Sequence, residues 1–345
     1  MQARRLRDLL DRKIRLCDTA QSLALLRVHL MNILHSAAFA IVASAIGFVA
    51  QAQPFAYVPN EKSGTISVID TATDRVTGEI KAGERPRGLA VSPGGKFIYV
   101  SDQPHRALNV IDVAKRTIVA QIALGESPEG VGISADGKWV VVAVEESNSV
   151  AFIDTATNKL VLNLKVKGKN PEHAVFSPDG KWLYVSAEDS DVVDVIDART
   201  RQQVTSITLG QRPRGIGFLP DSSRAYVAAE EAHMVYSIDT AKQTVLKIIK
   251  AGQRANGIAV RPDGKRVFVS NGTDGTVSVI DTASDTVIAT VPVGRRPWNM
   301  AVTPDGRKLY VANGRSNSVS VIDTETNQKI TDITVGELPW GVVIQ

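Results

Sequence analysis

Residues 294–323 read GRRPWNMAVTPDGRKLYVANGRSNSVSVID. A Gly-x-x-Pro turn leads into an apolar strand, Pro304-Asp305-Gly306 turns the chain, a Tyr-Val strand follows, and Ser-Val-Ile-Asp closes a third strand after a polar loop. A Val/Ile-rich segment supplies the fourth strand of the unit. The Ile-Asp pair recurs with its aspartate at Asp70, Asp112, Asp154, Asp197, Asp239, Asp281 and Asp323, at spacings of 42, 42, 43, 42, 42 and 42 residues. Seven near-equal units of four short strands specify an all-β, seven-bladed β-propeller. The single 43-residue interval arises between Ile153 and Gly168 and reads as a bulge or a longer turn after the third strand of its blade.

The turn residues have physical reasons to recur. In Pro178-Asp179-Gly180, Pro262-Asp263-Gly264 and Pro304-Asp305-Gly306, Pro presets φ, Asp bonds the turn backbone and Gly supplies φ > 0. Because the seven aspartates stand in every unit, they read as scaffold and not as a site. The first unit starts at its second strand, Phe55-Ala56-Tyr57-Val58, and the chain stops on a first strand, Gly341 to Gln345. That last strand should complete the first blade and close the ring, which leaves no free sheet edge between the ends.

Residues 1–52 differ in composition from the rest. Seven basic residues (Arg4, Arg5, Arg7, Arg12, Lys13, Arg15, Arg27) precede an apolar run from Ala37 to Ala50, and Ala50-Gln51-Ala52 forms a small-residue cleavage pattern. The run is shorter than the ~20 residues a spanning helix needs, so it reads as a cleaved signal peptide, and the protein is expected in the periplasm or outside the cell. An uncleaved anchor is the alternative. A start at Met31 would leave no Lys or Arg ahead of the apolar run.

The segment 53–345 is then a single propeller domain. The leader holds seven of the 40 basic and three of the 36 acidic residues, so the formal charge of +4 falls to a balance of 33 against 33 without it. The basic character belongs to the leader and argues for neither nucleic acid nor membrane as a partner. The one cysteine, Cys17, also lies there. A processed chain therefore forms no disulfide and attaches no haem through cysteine.

Tyr57-Val58-Pro59-Asn60, Tyr99-Val100-Ser101-Asp102 and Tyr310-Val311-Ala312-Asn313 resemble the signature of YVTN-type β-propeller repeats, and the resemblance covers residues 55–345. Asn60-Glu61-Lys62, the turn Gly83 to Gly88 and Pro339-Trp340-Gly341-Val342-Val343 are similar to members found beside periplasmic quinoprotein alcohol-oxidation systems. The resemblance implies a propeller fold but leaves activity open: one branch of such proteins binds single-stranded DNA, and distant lactonase-type propellers are hydrolases.

Strand direction alternates within a blade, so the loop after the second strand and the linker between blades share one face. The Pro-Asp-Gly and Ile-Asp-Thr turns share the other. Chemistry is expected on the first face, where the units disagree. After the turn proline the blades present Arg87, Glu129, Glu172, Arg214, Asn256, Trp298 and Trp340, at the mouth of the central channel. Two positions before them stand Arg85, Ser127, Asn170, Arg212, Arg254, Arg296 and Leu338. One sector is thus rich in Arg and Trp, and the other is acidic and continues into Glu145, Glu146, Glu188, Asp189, Asp191, Glu230 and Glu231.

Arg beside Trp can hold an anionic or planar ligand by paired hydrogen bonds and stacking. The candidate rim is therefore Arg87, Glu129, Glu172, Arg214, Asn256, Arg296, Trp298 and Trp340, and the plainer alternative is that these side chains pack or are solvated. His105, His173 and His233 map to the same face without close ligand spacing, so they are weak metal candidates. His173 and Asn299 each stand where other units carry a glycine.

No Gly-x-Ser-x-Gly, His-Glu-x-x-His, phosphate-cradling loop or Cys-x-x-Cys-His occurs, and no catalytic residue is assigned. The expectation is a non-catalytic binding or scaffold protein without a cofactor, taking a small ligand or a periplasmic protein on the variable face. The rivals are a metal-dependent lactonase-like hydrolase using His173 and Glu172 with a divalent ion, and a single-stranded DNA-binding propeller. The charge balance and the acidic sector count against nucleic acid.

Overall fold

A computed structural model describes residues 54–345. The expected signal peptide lies outside the described residues. Seven four-stranded antiparallel sheets form the blades of a ring, with each inner strand paired to the next strand in sequence. Blade 1 is the exception in connectivity. Its inner strand is Val343–Ile344, followed by Phe55–Asn60, Thr65–Asp70 and Arg75–Lys81.

The closing strand pairs Val343 with Tyr57 and Ile344 with Ala56. Its ladder extends through Phe55 N–H to the Gln345 carbonyl (2.8 Å) and Trp340 N–H to the Pro59 carbonyl (3.0 Å). Lys308 reaches from blade 7 to Asp74 of blade 1 (2.8 Å), and the Tyr310 hydroxyl bonds the same carboxylate. The first and last blades are thus joined as neighbouring blades are.

Second and third strands read as apolar runs because adjacent blades cover both their faces. Leu309–Asn313 and Val267–Asn271 are buried throughout. Six of the seven outer strands bury one main anchor, such as Ile80, Ile122 or Ile333, while Lys159–Lys165 buries none fully, and Val161, Leu246 and Ile288 are left exposed. The inner strands approach one another too closely for most side chains. A Cβ on Gly88 would lie 2.3 Å from the Glu129 carbonyl oxygen of the next blade, and one on Gly215 would lie 2.4 Å from that of Asn256.

The aspartate turns cap themselves. Asp197 Oδ1, for example, accepts from Thr200 N–H at 2.7 Å, consistent with the scaffold role expected of the repeated aspartates. The 43-residue interval needs a correction in its cause. A bulge follows the third strand's midpoint in every blade, as at Phe152/Ile153 and Val321/Ile322, so a bulge does not mark the longer unit. The extra residue lies in the linker between blades 3 and 4, where 166–170 holds five residues against four in linkers such as 82–85. Lys167 N–H finds its acceptor in the Gln203 amide at 3.0 Å.

Candidate functional site

The linkers between blades place the variable residues. In six of them the residue before the inner strand is in the left-handed region: Ser127, Asn170, Arg212, Arg254, Arg296 and Leu338, with φ between 54° and 62°. Three arginines at such positions carry local strain, which the surrounding structure must hold. The Asn that ends the Tyr-Val strand fixes these linkers. Asn271 donates to Ser278 (2.9 Å) and accepts from Gly252 N–H (3.0 Å), and Asn313 repeats the pattern with Ser320 and Gly294. Asp102 serves the same end in blade 2, accepting from Arg85 N–H at 3.1 Å.

Over the mouth the arginines and glutamates interlock. In blades 5 to 7 four guanidinium groups converge on the fully buried Glu230: Arg214 and Arg296 at 2.8 Å, Arg212 and Arg254 at 3.4 Å. Arg214 also holds Glu172 (2.8 Å) and Glu188 (2.6 Å). Burial opposes its charge, but the carboxylates Glu172, Glu188 and Glu230 outweigh burial and hold the guanidinium above its ordinary value. Arg296 lies 5.9 Å from the Trp298 ring centroid. Gly272 and Gly314 make room for these two side chains, since a Cβ there would meet the Arg296 guanidinium and the Trp298 ring.

Blades 3 and 4 form the opposite kind of sector. Glu129, Glu145 and Glu172 bring one carboxylate oxygen each within 4.8 Å of one another. Arg87 pairs with Glu129 at 2.5 Å and with Glu61 at 3.3 Å, and Arg85 covers Glu61. Gln103 also bonds Glu129. Burial pushes the Glu129 carboxyl well above the usual range, and the charge of Glu172 adds to it. Burial, then the Glu172 charge, raises Glu188 to about 8, while at Glu172 the effect of burial is overcome by Arg214 and the carboxyl is lowered.

The channel below the mouth is narrowed by stacked side chains. His173 stacks on Trp340 across it, with ring centroids 5.5 Å apart and planes 20° apart. A cavity of about 130 Å³ remains beside His173, Asn299 and Trp340, walled by Leu89, Val131 and Ile216. Burial lowers the His173 pKa against the opposing pull of the Glu172 charge and the Asn299 side chain, and neither ring nitrogen makes a well-formed hydrogen bond among the described residues.

The eight expected rim residues therefore surround one channel but divide by depth and partner. Arg87, Glu129, Glu172, Arg214 and Arg296 belong to the ion-pair network, Trp298 lies beside Arg296, Asn256 is buried, and Trp340 plugs the channel. The histidines do not converge. His105 bonds Asp102 (2.9 Å), and His233 accepts from Arg254 N–H (3.0 Å), far from a shared ligand geometry with His173. Sequence reading did not assign Glu61 and Gln103 to the rim. Both follow the second strand of their blade, the repeat position of Glu145, Glu188 and Glu230.

The YNCE-like beta-propeller family matches residues 32–135 and 132–344. The chain belongs to this family. No curated protein matches it in sequence. Among solved structures it is similar to a chain of Kuenenia stuttgartiensis hydrazine synthase, at 26% identity and a TM-score of 0.72 over 78% of this chain and 92% of that one. It also resembles a functionally unknown protein from Desulfotomaculum acetoxidans, at 18% identity and a TM-score of 0.75 over 84% and 98% of the two chains. A candidate 6-phosphogluconolactonase from Bacteroides fragilis matches at 19% identity and a TM-score of 0.73 over 87% and 99%. The latter two likenesses speak for the fold alone.

Proposed function

We propose that this YNCE-like propeller is a non-catalytic binding protein that takes an anionic group, of a small ligand or of a partner protein, on the arginine sector of its mouth. The observation that carries the reading is the convergence of Arg212, Arg214, Arg254 and Arg296 on the single buried Glu230. One carboxylate cannot use the donors of four guanidinium groups. Arg212 and Arg254, each with 37% of its side chain exposed, also reach the half-exposed Glu231 at 3.5 and 3.4 Å, a carboxylate that an incoming anionic group would displace.

The non-catalytic part of the reading is supported by the centre of the channel. His173 faces an aromatic ring, and among the described residues no hydroxyl or carboxylate is hydrogen-bonded to its ring, so it lacks the geometry of a positioned base. Export is supported by the basic leader and the apolar run before residue 53. A place beside an enzyme of the quinoprotein kind is supported by the motif resemblance at Asn60-Glu61-Lys62.

The test is native mass spectrometry on protein expressed with its own leader and purified gently, wild type beside Arg254→Glu. Retention of an anionic small molecule or a protein by the wild type, and its loss in the variant, is the expected result. Equal retention by both would count against the arginine sector.

A further inference from the structure

We propose that Glu129, Glu145 and Glu172 form a divalent-cation site, with calcium its best match. The inference goes beyond anion binding and does not depend on what the arginine sector holds. Three carboxylates that offer oxygens within 4.8 Å of one another repel strongly when ionised, and two of them, Glu129 and Glu172, are buried.

The pattern of partners points to what relieves that repulsion. Each carboxylate has one oxygen fixed by the protein. Glu129 Oε1 accepts from Arg87 and Gln103, Glu145 Oε2 accepts from Ser127 at 2.6 Å, and Glu172 Oε1 accepts from Arg214 at 2.8 Å. Among the described residues, Glu129 Oε2, Glu145 Oε1 and Glu172 Oε2 have no hydrogen-bond or ion-pair partner, which leaves one oxygen per glutamate.

Glu129 Oε2 is the most telling of the three. Other enclosed carboxylate oxygens at the mouth that lack a hydrogen bond still face an arginine: Glu61 Oε2 faces Arg87 (3.3 Å), Glu188 Oε1 faces Arg214 (2.6 Å) and Glu230 Oε2 faces Arg214 (2.8 Å). Glu129 Oε2 is enclosed, belongs to a side chain with no exposure, and has neither kind of partner. A buried carboxylate oxygen without a partner costs several kcal/mol, roughly, unless a proton or a cation meets it.

The donor set selects the ion. Carboxylate oxygens without nitrogen or sulfur favour hard cations. Oxygens within 4.8 Å of one another lie no more than about 2.8 Å from a shared centre. Calcium accepts an irregular shell of oxygens at about 2.3–2.6 Å, whereas magnesium demands a near-ideal octahedron at roughly 2.1 Å, which three glutamates on separate strands and loops are less suited to build. Partly exposed Glu145 gives the ion an entry path and leaves positions for water. Ser127, Gln103, Arg87 and Arg214 orient the ligands from behind, as supporting hydrogen bonds do in metal sites.

The test is calorimetric titration of chelator-stripped full-length protein with calcium chloride and with magnesium chloride, alongside thermal melts. Glu145→Gln is the first variant, since Glu145 forms no ion pair among the described residues and its loss strands no arginine. Glu129→Gln is the second. The expected result is one calcium per chain, bound more tightly than magnesium and weakened at least roughly tenfold in both variants. Binding should also weaken when the pH falls from about 7.5 to about 5.5, because protons compete for the same oxygens. No heat and no shift in melting temperature at about 10 mM calcium would overturn the proposal, as would calcium binding that both variants keep unchanged. Retention of calcium in Arg254→Glu with loss of the anionic ligand would separate this site from the arginine sector.

Discussion

Arg214 is the centre of the mouth network, and replacing it with alanine gives the sharpest energetic test of that network. Its side chain is 15% exposed, and its guanidinium serves Glu172, Glu188 and Glu230 together. Glu230 would keep Arg212, Arg254 and Arg296, and Glu188 would keep Arg212 at 2.9 Å. Glu172 would lose the only ion-pair partner it has among the described residues. Stranding one buried charge costs about 3–5 kcal/mol. At about 2 °C per kcal/mol, the low end for a domain of this size, the melting temperature should fall by roughly 6–10 °C near neutral pH.

The deficit has a signature that simple loss of packing lacks. Without Arg214 the Glu172 carboxyl takes up a proton more readily, so the gap to wild type should narrow as the pH falls. Glu172→Gln, added to Arg214→Ala, removes the stranded charge and should recover about half of the loss. Calorimetric melts across pH on the three proteins provide the assay. A fall of less than about 2 °C, or no recovery in the double variant, would refute the reasoning.

Other outcomes follow from the same structure. Burial and the Glu172 charge raise the Glu188 carboxyl to about 8, against 4.5 for a free glutamate, although Arg214 and Arg212 favour its ionised form, so between these values the folded state holds more of this proton than the unfolded chain does. The stability this proton confers is present below about pH 4.5 and is lost as pH rises toward about 8, at no more than ~1.4 kcal/mol per pH unit, and Glu188→Gln should flatten that slope in melts. Trp340→Ala removes the His173 stack and opens the channel, with an expected loss of about 3–5 kcal/mol in denaturant unfolding. Gly88→Ala places a Cβ 2.3 Å from the Glu129 carbonyl and should destabilise by about 1–3 kcal/mol in the same assay, although the substitution is small and apolar.

The ring was legible in the sequence because each blade repeats the same turn chemistry, and the closing strand could be read from an array that starts on a second strand and ends on a first. The extra residue at 166–170 was located to the right stretch but not to its linker, since spacing between Asp154 and Asp197 cannot say which connection absorbs it. Rim positions such as Arg87 and Arg214 were legible from their place after the turn proline. Their partners were not. Repeat alignment gives the height of a residue along the channel, whereas whether Arg296 reaches Glu230 or His173 reaches Trp340 depends on channel width and on side-chain length. Glu61 could have been found by aligning the residue after each second strand, where it matches Glu145, Glu188 and Glu230.

The central claim is that the arginines around Glu230 form a binding surface and not only a structural clasp. Calorimetric titration with simple anions addresses it most directly, using inorganic phosphate, pyrophosphate, citrate and an acidic peptide on wild type and Arg254→Glu. The account predicts that at least one of them binds the wild type, more weakly as salt rises, and that the variant loses that binding while keeping its fold. Binding of none of them, or binding that Arg254→Glu leaves intact, would contradict it.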